Sequence, residues 1–392
     1  MPRRTGLVLA CVQLAFTLSW TVYVVYLPAM LARAGLAGLA PWVLAADQLV
    51  FALTDLYVGA RLDDASLALA RAGRALAGLV LVSALAFALV PVAVGKAALL
   101  VAVFVWVVAS SALRVPPLVL LSKHAGPRAG TRAATAYAFG IGVAGALAPY
   151  LQLVLRDRSP TLPFVLSSGG VVVATLALVP VLRASNATPA SDERGSKNAS
   201  PLSATARTLL AAVGLGAVAF QAHFALRAAP GFTRLAGPDA LAKLMPVFWV
   251  GFNLAIVPVT LLLAKRPART VLVAAGALGA LTASVFEGTG SLAVAIACQL
   301  VAGGAWAALF FAGLGGAATL GATGREGKLV GRFFALLSGA AVLRLAFVGA
   351  GLDKKAASLL PAVPPLAWAA VAIALLLGDL HDLDRRTARA EH

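Results

Sequence analysis

The sequence predicts an all-α membrane protein with twelve transmembrane helices in two pseudo-symmetric six-helix bundles. Of its 392 residues, 61% are hydrophobic, whereas soluble domains usually contain about 45 to 50%. Charged residues make up 12% of the chain. They lie in short clusters between apolar runs of about 20 residues, the length that crosses the hydrocarbon layer of a bilayer. We therefore expect a multi-pass protein embedded in lipid.

Apolar runs bounded by charges, Pro or Gly define the expected helices in chain order. The first six are predicted at 5–30, 41–60, 75–94, 97–121, 134–154 and 160–182. The second six are predicted at 207–229, 244–264, 270–286, 290–314, 333–351 and 362–379. The first run follows two arginines, as in a signal peptide. It continues to Met30 without a small-residue cleavage site, so we expect it to remain as the first helix.

A polar segment separates the two sets of helices. Residues 184–206, which include SNATPASDERGSKNASPLSATA, are too polar to stay in lipid. We expect an N-terminal bundle over 1–183, a linker over 184–206, and a C-terminal bundle with a short tail over 207–392. With both termini in the cytoplasm, 21 of the 32 cations lie in cytoplasmic segments, which is the side where Lys and Arg accumulate. The Ala-, Leu- and Arg-rich composition favours a bacterial inner membrane.

Several classes of protein are disfavoured by composition. The net charge is +17, but the cations separate apolar spans and do not cover one face as in a nucleic-acid binder. The two cysteines lie inside apolar runs, and the sequence has no Walker-type phosphate loop. We expect no cofactor, no metal site and no enzymatic activity, and we expect a monomer. The histidines are isolated from one another, at His124, His223, His381 and His392.

The two halves share features at matching positions. Helix one ends YLPAMLARAG and helix seven ends AAPGFTRLAG, so Pro28 matches Pro230 and Gly35 matches Gly237. The second helix of each half ends in a basic turn, GAR at 59–61 and AKR at 264–266. Together with six plus six helices and a polar midpoint, these features indicate a duplicated transporter. This organisation resembles the major facilitator superfamily over nearly the whole chain.

Local motifs add to the resemblance and depart from it. The superfamily's signature after helix two is matched by Gly59 and Asp63, but Asp64 stands where a base is expected, and the basic residues come later, at Arg71 and Arg74. Two further patterns are similar to those of particular branches. Sugar:cation symporters resemble this chain at Asp55, Gly59 and Asp63, with Phe51 replacing the upstream acid, and antiporters resemble it at Gly140, Gly142, Gly145 and Pro149.

The resemblance implies a secondary transporter that works by alternating access on a small-molecule substrate with a coupling ion, a proton or sodium. Proton-driven efflux of drugs or metabolites is one alternative. A transporter-like receptor or a membrane-embedded enzyme is another.

Ionisable groups inside the hydrocarbon are costly and usually functional. Asp47 and Asp55 are eight residues apart on helix two, about 12 Å along the axis and about 80° around it, so they share one broad face. Asp55 matches Arg114 in depth, and the resemblance implies that an acid on helix two pairs with an arginine on helix four. A carboxylate whose arginine moves away changes its proton affinity. We predict coupling roles for Asp55, Asp47, Arg114 and His223, with a static ion pair and a packing histidine as the alternatives.

Arginines and a polar strip are the candidates for substrate binding. Arg344 in helix eleven has no acid near it in sequence, and its guanidinium suits a carboxylate or phosphate. Hydrogen bonds from Arg344 to helix carbonyls or to an internal Asp are the alternative. Arg227 binds substrate or extends to the outer surface. Three intramembrane arginines against two aspartates favour an anionic solute. By the resemblance, the cavity is also lined by Gln13, Thr17, Trp20, Tyr23, Gln221, Trp249, Asn253 and Trp306, any of which could instead serve packing.

Overall fold

The computed structural model describes residues 3–71, 73–114, 116–117, 120, 129–155, 161–186, 202–321 and 326–378. These residues form helices and short connections with no strand. Twelve of the described helices are long and apolar enough to cross a membrane. The predicted all-α membrane fold is therefore confirmed. Most of the predicted linker and all of the tail from residue 379 lie outside the described residues, so the domain boundaries stay predictions.

Among the described residues, the first half contains six long helices. They are α1 Arg3–Arg33, α2 Ala40–Arg71, α3 Gly73–Leu89, α4 Lys96–Leu113, α5 Ala129–Leu155 and α6 Thr161–Asn186. Two boundaries differ from the prediction. Helix α2 continues past residue 60 because Ala and Leu, which favour helix, dominate the charged stretch that follows. Helix α4 ends at Leu113, shortly before two prolines that lack the N–H of a regular helix.

The second half repeats this pattern with one irregular helix. Helix α7 spans Ala204–Ala236, and its middle part, Gln221–Ala228, is a π-helix. The sequence did not predict that segment. The remaining helices are α8 Pro246–Leu263, α9 Ala268–Gly288, α10 Leu292–Gly321, α11 Glu326–Gly349 and α12 Val363–Leu377.

The internal repeat is visible at the ends of α1 and α7. Gly35 after α1 has a φ of 70°, and Gly237 after α7 has a φ of 78°. Glycine adopts this left-handed region without the steric cost that a Cβ brings. Pro28 and Pro230 lie at equivalent places within the two preceding helices. The matched sequence positions thus have matched backbone roles.

The halves contact each other mainly through α2 with α11 and α5 with α8. Gly331 of α11 faces Gly59 of α2 so closely that a Cβ on Gly331 would lie 2.7 Å from the Gly59 Cα. At the other end of the same helix pair, Gly349 packs against Trp42. Small residues allow this close approach of helices in a membrane. The α2–α11 pair is therefore in contact near both of its ends.

Candidate functional site

An ion pair joins α2 to the end of α4. The Arg114 Nη2 atom donates a hydrogen bond to Asp55 Oδ2 at 3.2 Å. The Asp55 side chain is 1% exposed and that of Arg114 is 21% exposed. The Arg114 guanidinium also lies over the Phe51 ring, 4.8 Å from its centroid, an arrangement that cation–π attraction favours. The second carboxylate oxygen, Oδ1 of Asp55, is buried without a hydrogen-bond partner.

The second acid of α2 has a neutral partner. The Tyr23 hydroxyl donates a hydrogen bond to Asp47 Oδ2 at 2.5 Å. Both side chains are buried, and the Tyr23 ring lies 4.6 Å from the Trp106 ring, centroid to centroid. Tyr23 was predicted to line a substrate cavity, but in the structure it supports Asp47 from within the first half.

Arg344 lies at the depth of Asp47. Gly349 packs on Trp42, and the two helices run in opposite directions. Arg344 is five residues before Gly349, and Asp47 is five residues after Trp42. Because both helices have the same rise per residue, Arg344 and Asp47 lie at the same height along the helix pair. The Nε atom of Arg344 is buried without a hydrogen-bond partner.

Arg227 has an acidic partner that the sequence analysis did not assign. Its Nε and Nη2 atoms donate to the two carboxylate oxygens of Glu287 at 2.8 and 2.6 Å. This bidentate pair occupies one edge of the guanidinium. Binding of substrate to that edge requires the pair to open. The count of arginines against aspartates omitted Glu287, so it overstated the positive charge within the membrane.

His223 lies inside the second half. Its side chain is 1% exposed, and its ring contacts Phe286 edge-on at a centroid distance of 5.4 Å. Both ring nitrogens lack hydrogen-bond partners that meet standard geometry, as do the side-chain atoms of buried Gln299. His223 lines neither of the cavities described next.

A cavity of about 240 Å³ lies mainly within the first half, and we call it the polar cavity. Its lining includes four of the predicted site residues, Gln13, Thr17, Trp20 and Arg114. Sequence reasoning missed most of its other members. These are Phe16, Ser19, Gln48, Phe51, Ser83, Trp106, Ser110, Val171 and Ser338, of which Ser338 alone comes from the second half.

A second cavity of about 150 Å³ lies mainly within the second half, and we call it the aromatic cavity. Three predicted residues line it: Gln221, Trp249 and Trp306. The others are Ile141, Ala217, Phe220, Phe252, Phe310 and Leu337. The predicted residue Asn253 lies outside the lining. Its side chain packs against Gly142 of α5, and its Nδ2 atom donates to the carbonyl of Trp249 at 2.8 Å.

Comparisons with known proteins concern the fold. No family model matches the sequence, and no curated protein matches it. The structure is similar to that of the human organic anion transporter MFSD10 (TETRAN), with 14% identity, 96% of this chain and 99% of that chain covered, and a TM-score of 0.68. The structure is also similar to that of the Escherichia coli fucose:proton symporter FucP. The identity is 15%, the match covers 95% of this chain and 97% of that chain, and the TM-score is 0.65.

A third similar structure is a bacterial homologue of the iron transporter ferroportin in its outward-facing state. It is 15% identical, covers 96% of this chain and 99% of that chain, and has a TM-score of 0.75. Identities this low establish architecture and leave substrate open. The protein is a multi-pass integral membrane protein with the fold of major facilitator superfamily transporters.

Proposed function

We propose that this protein is a proton-coupled secondary transporter that moves a small organic solute across a membrane by alternating access. The observation that carries the proposal is the ion pair between Asp55 and Arg114. It joins two helices of the first half, and Arg114 also lines the polar cavity. A buried acid with one paired and one unpaired oxygen can accept a proton while its arginine responds to a solute.

The position of Asp55 connects this chemistry to movement of the halves. The carbonyl of Asp55 lies against Gly331, close to the contact of Gly331 with Gly59. A proton added to the Asp55 carboxylate removes its charge and weakens the hold of Arg114. Loss of that proton restores the ion pair. Either change acts on α2 beside its closest contact with α11, so proton binding and the contact between halves can influence each other.

The charge balance of the intramembrane arginines favours an uncharged solute. Arg114 is balanced by Asp55, and Arg227 is balanced by Glu287. Two of the three arginines that suggested an anion are therefore neutralised within the protein. An uncharged solute with a proton is the combination carried by FucP, a fucose:proton symporter. Metal transport, suggested by the ferroportin homologue, has less support, because the described residues contain no group of three or more His, Cys, Asp or Glu side chains.

The test is a solute-induced pH change in proteoliposomes, with a panel of sugars, polyols, amides, organic acids and cationic drugs. Entry of a solute together with protons raises the external pH, whereas drug efflux by antiport couples solute entry to proton exit and lowers it. Empty liposomes and vesicles with Asp55→Asn are the controls. Solute binding without any flux would instead indicate a receptor and would refute the proposal.

An organic anion is the second candidate substrate. The buried Arg344 has an unpartnered Nε atom, and MFSD10 is an organic anion transporter. If Arg344 binds an anion in another conformation, Arg344→Ala abolishes uptake of organic acids, and Arg344→Lys restores little of it because lysine lacks the planar fork of donors. Normal uptake of acids by the alanine variant would leave Arg344 with a packing role.

A further inference from the structure

We propose that the solute is amphipathic, with an uncharged head that carries hydroxyl or amide groups and a body the size of one aromatic ring. The head occupies the polar cavity and the body occupies the aromatic cavity. This inference rests on the proposed transport function and names the class of its substrate. It follows from the unlike chemistry of two cavities that adjoin between the halves.

The polar cavity presents oxygen acceptors to its contents. Thr17 and Ser19 donate their hydroxyl protons to carbonyls one turn earlier in α1, each at 2.9 Å. Ser110 does the same in α4 at 3.1 Å. A hydroxyl that donates to its own helix keeps lone pairs available, and Thr17 uses one of its two to accept a hydrogen bond from Gln13 Nε2 at 3.1 Å. Among the described residues that line the polar cavity, Arg114 carries the positive charge, and Asp55 balances it. Hydroxyl and amide groups fit such a surface because they supply donors without adding charge.

The aromatic cavity has the opposite character. The Phe220 and Trp306 rings stack at a centroid distance of 4.5 Å and an angle of 9°, and Trp249 meets Phe220 edge-on at 5.9 Å. Gln221 is the one side-chain amide among its described lining residues. An apolar cavity of about 150 Å³ is large enough to hold benzene. A cavity volume of about 150 Å³ therefore sets the body at one ring or a branched alkyl group of that size.

The two cavities are neighbours through α5 and α11. Ser338 lines the polar cavity and Leu337, the preceding residue, lines the aromatic cavity. On α5, Gly140 packs against Gln13 of the polar cavity, and the next residue, Ile141, lines the aromatic cavity. Both helices belong to the pairs that join the halves. The proposed solute extends from one cavity to the other across the boundary that would move in alternating access.

The experiment compares matched solutes that differ by one phenyl group. The pairs are glucose with phenyl β-glucoside, and propionamide with 3-phenylpropionamide. Binding is measured by isothermal titration calorimetry with the full-length protein in lipid nanodiscs, with protein-free nanodiscs subtracted. We expect the phenyl compound of at least one pair to bind roughly ten- to a hundred-fold more tightly than its head alone, the gain typical of burying one such group.

Variants assign that gain to the aromatic cavity. Ala217→Phe fills the cavity and should abolish the phenyl preference, whereas Ala211→Phe makes the same change at an exposed position of α7 and should preserve it. If Ala217→Phe fails to fold, Leu337→Gln places an amide in the cavity at similar volume and should reduce the preference at least five-fold. Ser338→Ala should weaken both members of a pair equally.

Two results would overturn the inference: no ten-fold phenyl preference in either pair, or a preference that survives filling of the aromatic cavity. The pH assay on the same compounds tests the transport proposal separately. Proton-coupled uptake of the heads without a phenyl preference defeats the amphipathic solute and leaves the transporter. A cavity-dependent preference without proton movement supports the solute class and defeats the coupling.

Discussion

Replacement of Asp55 by Asn tests the coupling proposal most directly, because Asn keeps the size of the side chain and cannot exchange a proton. The ion pair has a separation of 3.2 Å, which corresponds to about 5 kcal/mol of Coulomb attraction at an effective dielectric constant of about 20. Removing one partner of a buried pair typically costs about 3 to 5 kcal/mol. Because Arg114 is 21% exposed, water can hydrate the guanidinium that the substitution leaves unpaired. We therefore expect Asp55→Asn to lower the free energy of unfolding by about 3 kcal/mol.

The functional effect of Asp55→Asn should be selective. We expect uphill accumulation of solute to stop, because the variant cannot bind the driving proton at this position. Exchange of labelled for unlabelled solute at equal concentrations should continue, since binding and the change between states do not require net proton movement. Proteoliposomes that hold a solute identified by the pH assay allow both measurements on one preparation.

The single variant Arg114→Gln and the double variant Asp55→Asn with Arg114→Gln complete the cycle with Asp55→Asn. The double variant is the decisive corner. It should recover most of the lost stability, because it no longer leaves a buried charge without its partner. Stability losses that simply add would show that the two groups do not interact. Loss of exchange together with accumulation would indicate a structural ion pair, and undiminished accumulation by Asp55→Asn would move the coupling role to Asp47 or His223.

Two further predictions concern stability in lipid nanodiscs, measured by thermal unfolding. Gly331→Ala should destabilise the protein by about 1 to 3 kcal/mol, because the added methyl group meets the backbone of α2. The control Gly339→Ala on the same helix has open space around the added methyl group and should not destabilise the protein. Equal effects of the two substitutions would refute the close contact. Tyr23→Phe should cost about 1 to 3 kcal/mol because buried Asp47 loses its donor, and the exposed Tyr150→Phe should change stability by less than about 0.5 kcal/mol.

Sequence reasoning found what hydropathy and depth determine. Twelve apolar runs gave the fold, because a helix is the structure that satisfies its own backbone in lipid. Depth along α2 and α4 suggested that Asp55 and Arg114 could meet, and the structure places them in an ion pair. The polar strip on α1 was found because Gln13 and Thr17 interrupt an apolar run at helical spacing. Whether these residues act in coupling and binding stays a prediction.

Other features had little or no signal in the chain. Ser83 and Ser110 line the polar cavity, yet serine occurs throughout membrane helices because it can bond its own backbone. Glu287 is 60 residues from Arg227, and its place at a helix end concealed the pairing. The π-helix from Gln221 to Ala228 differs from an α-helix by a small local shift in hydrogen bonding. Gln299, a polar residue in the apolar run of α10, is buried but was not among the predicted site residues.

The close contact of Gly59 with Gly331 also makes a lever of α11. Gly349 is 18 residues beyond Gly331, a distance of about 27 Å along the helix. If the glycines act as a fulcrum, tilting α11 by about 10° moves its far end by about 5 Å, roughly one helical pitch. That displacement is enough to carry Gly349 off Trp42 while the atoms at the fulcrum stay nearly still. Small shifts of side chains beside the fulcrum, Asp55 among them, would therefore be amplified into large displacements at the opposite end of the helix pair.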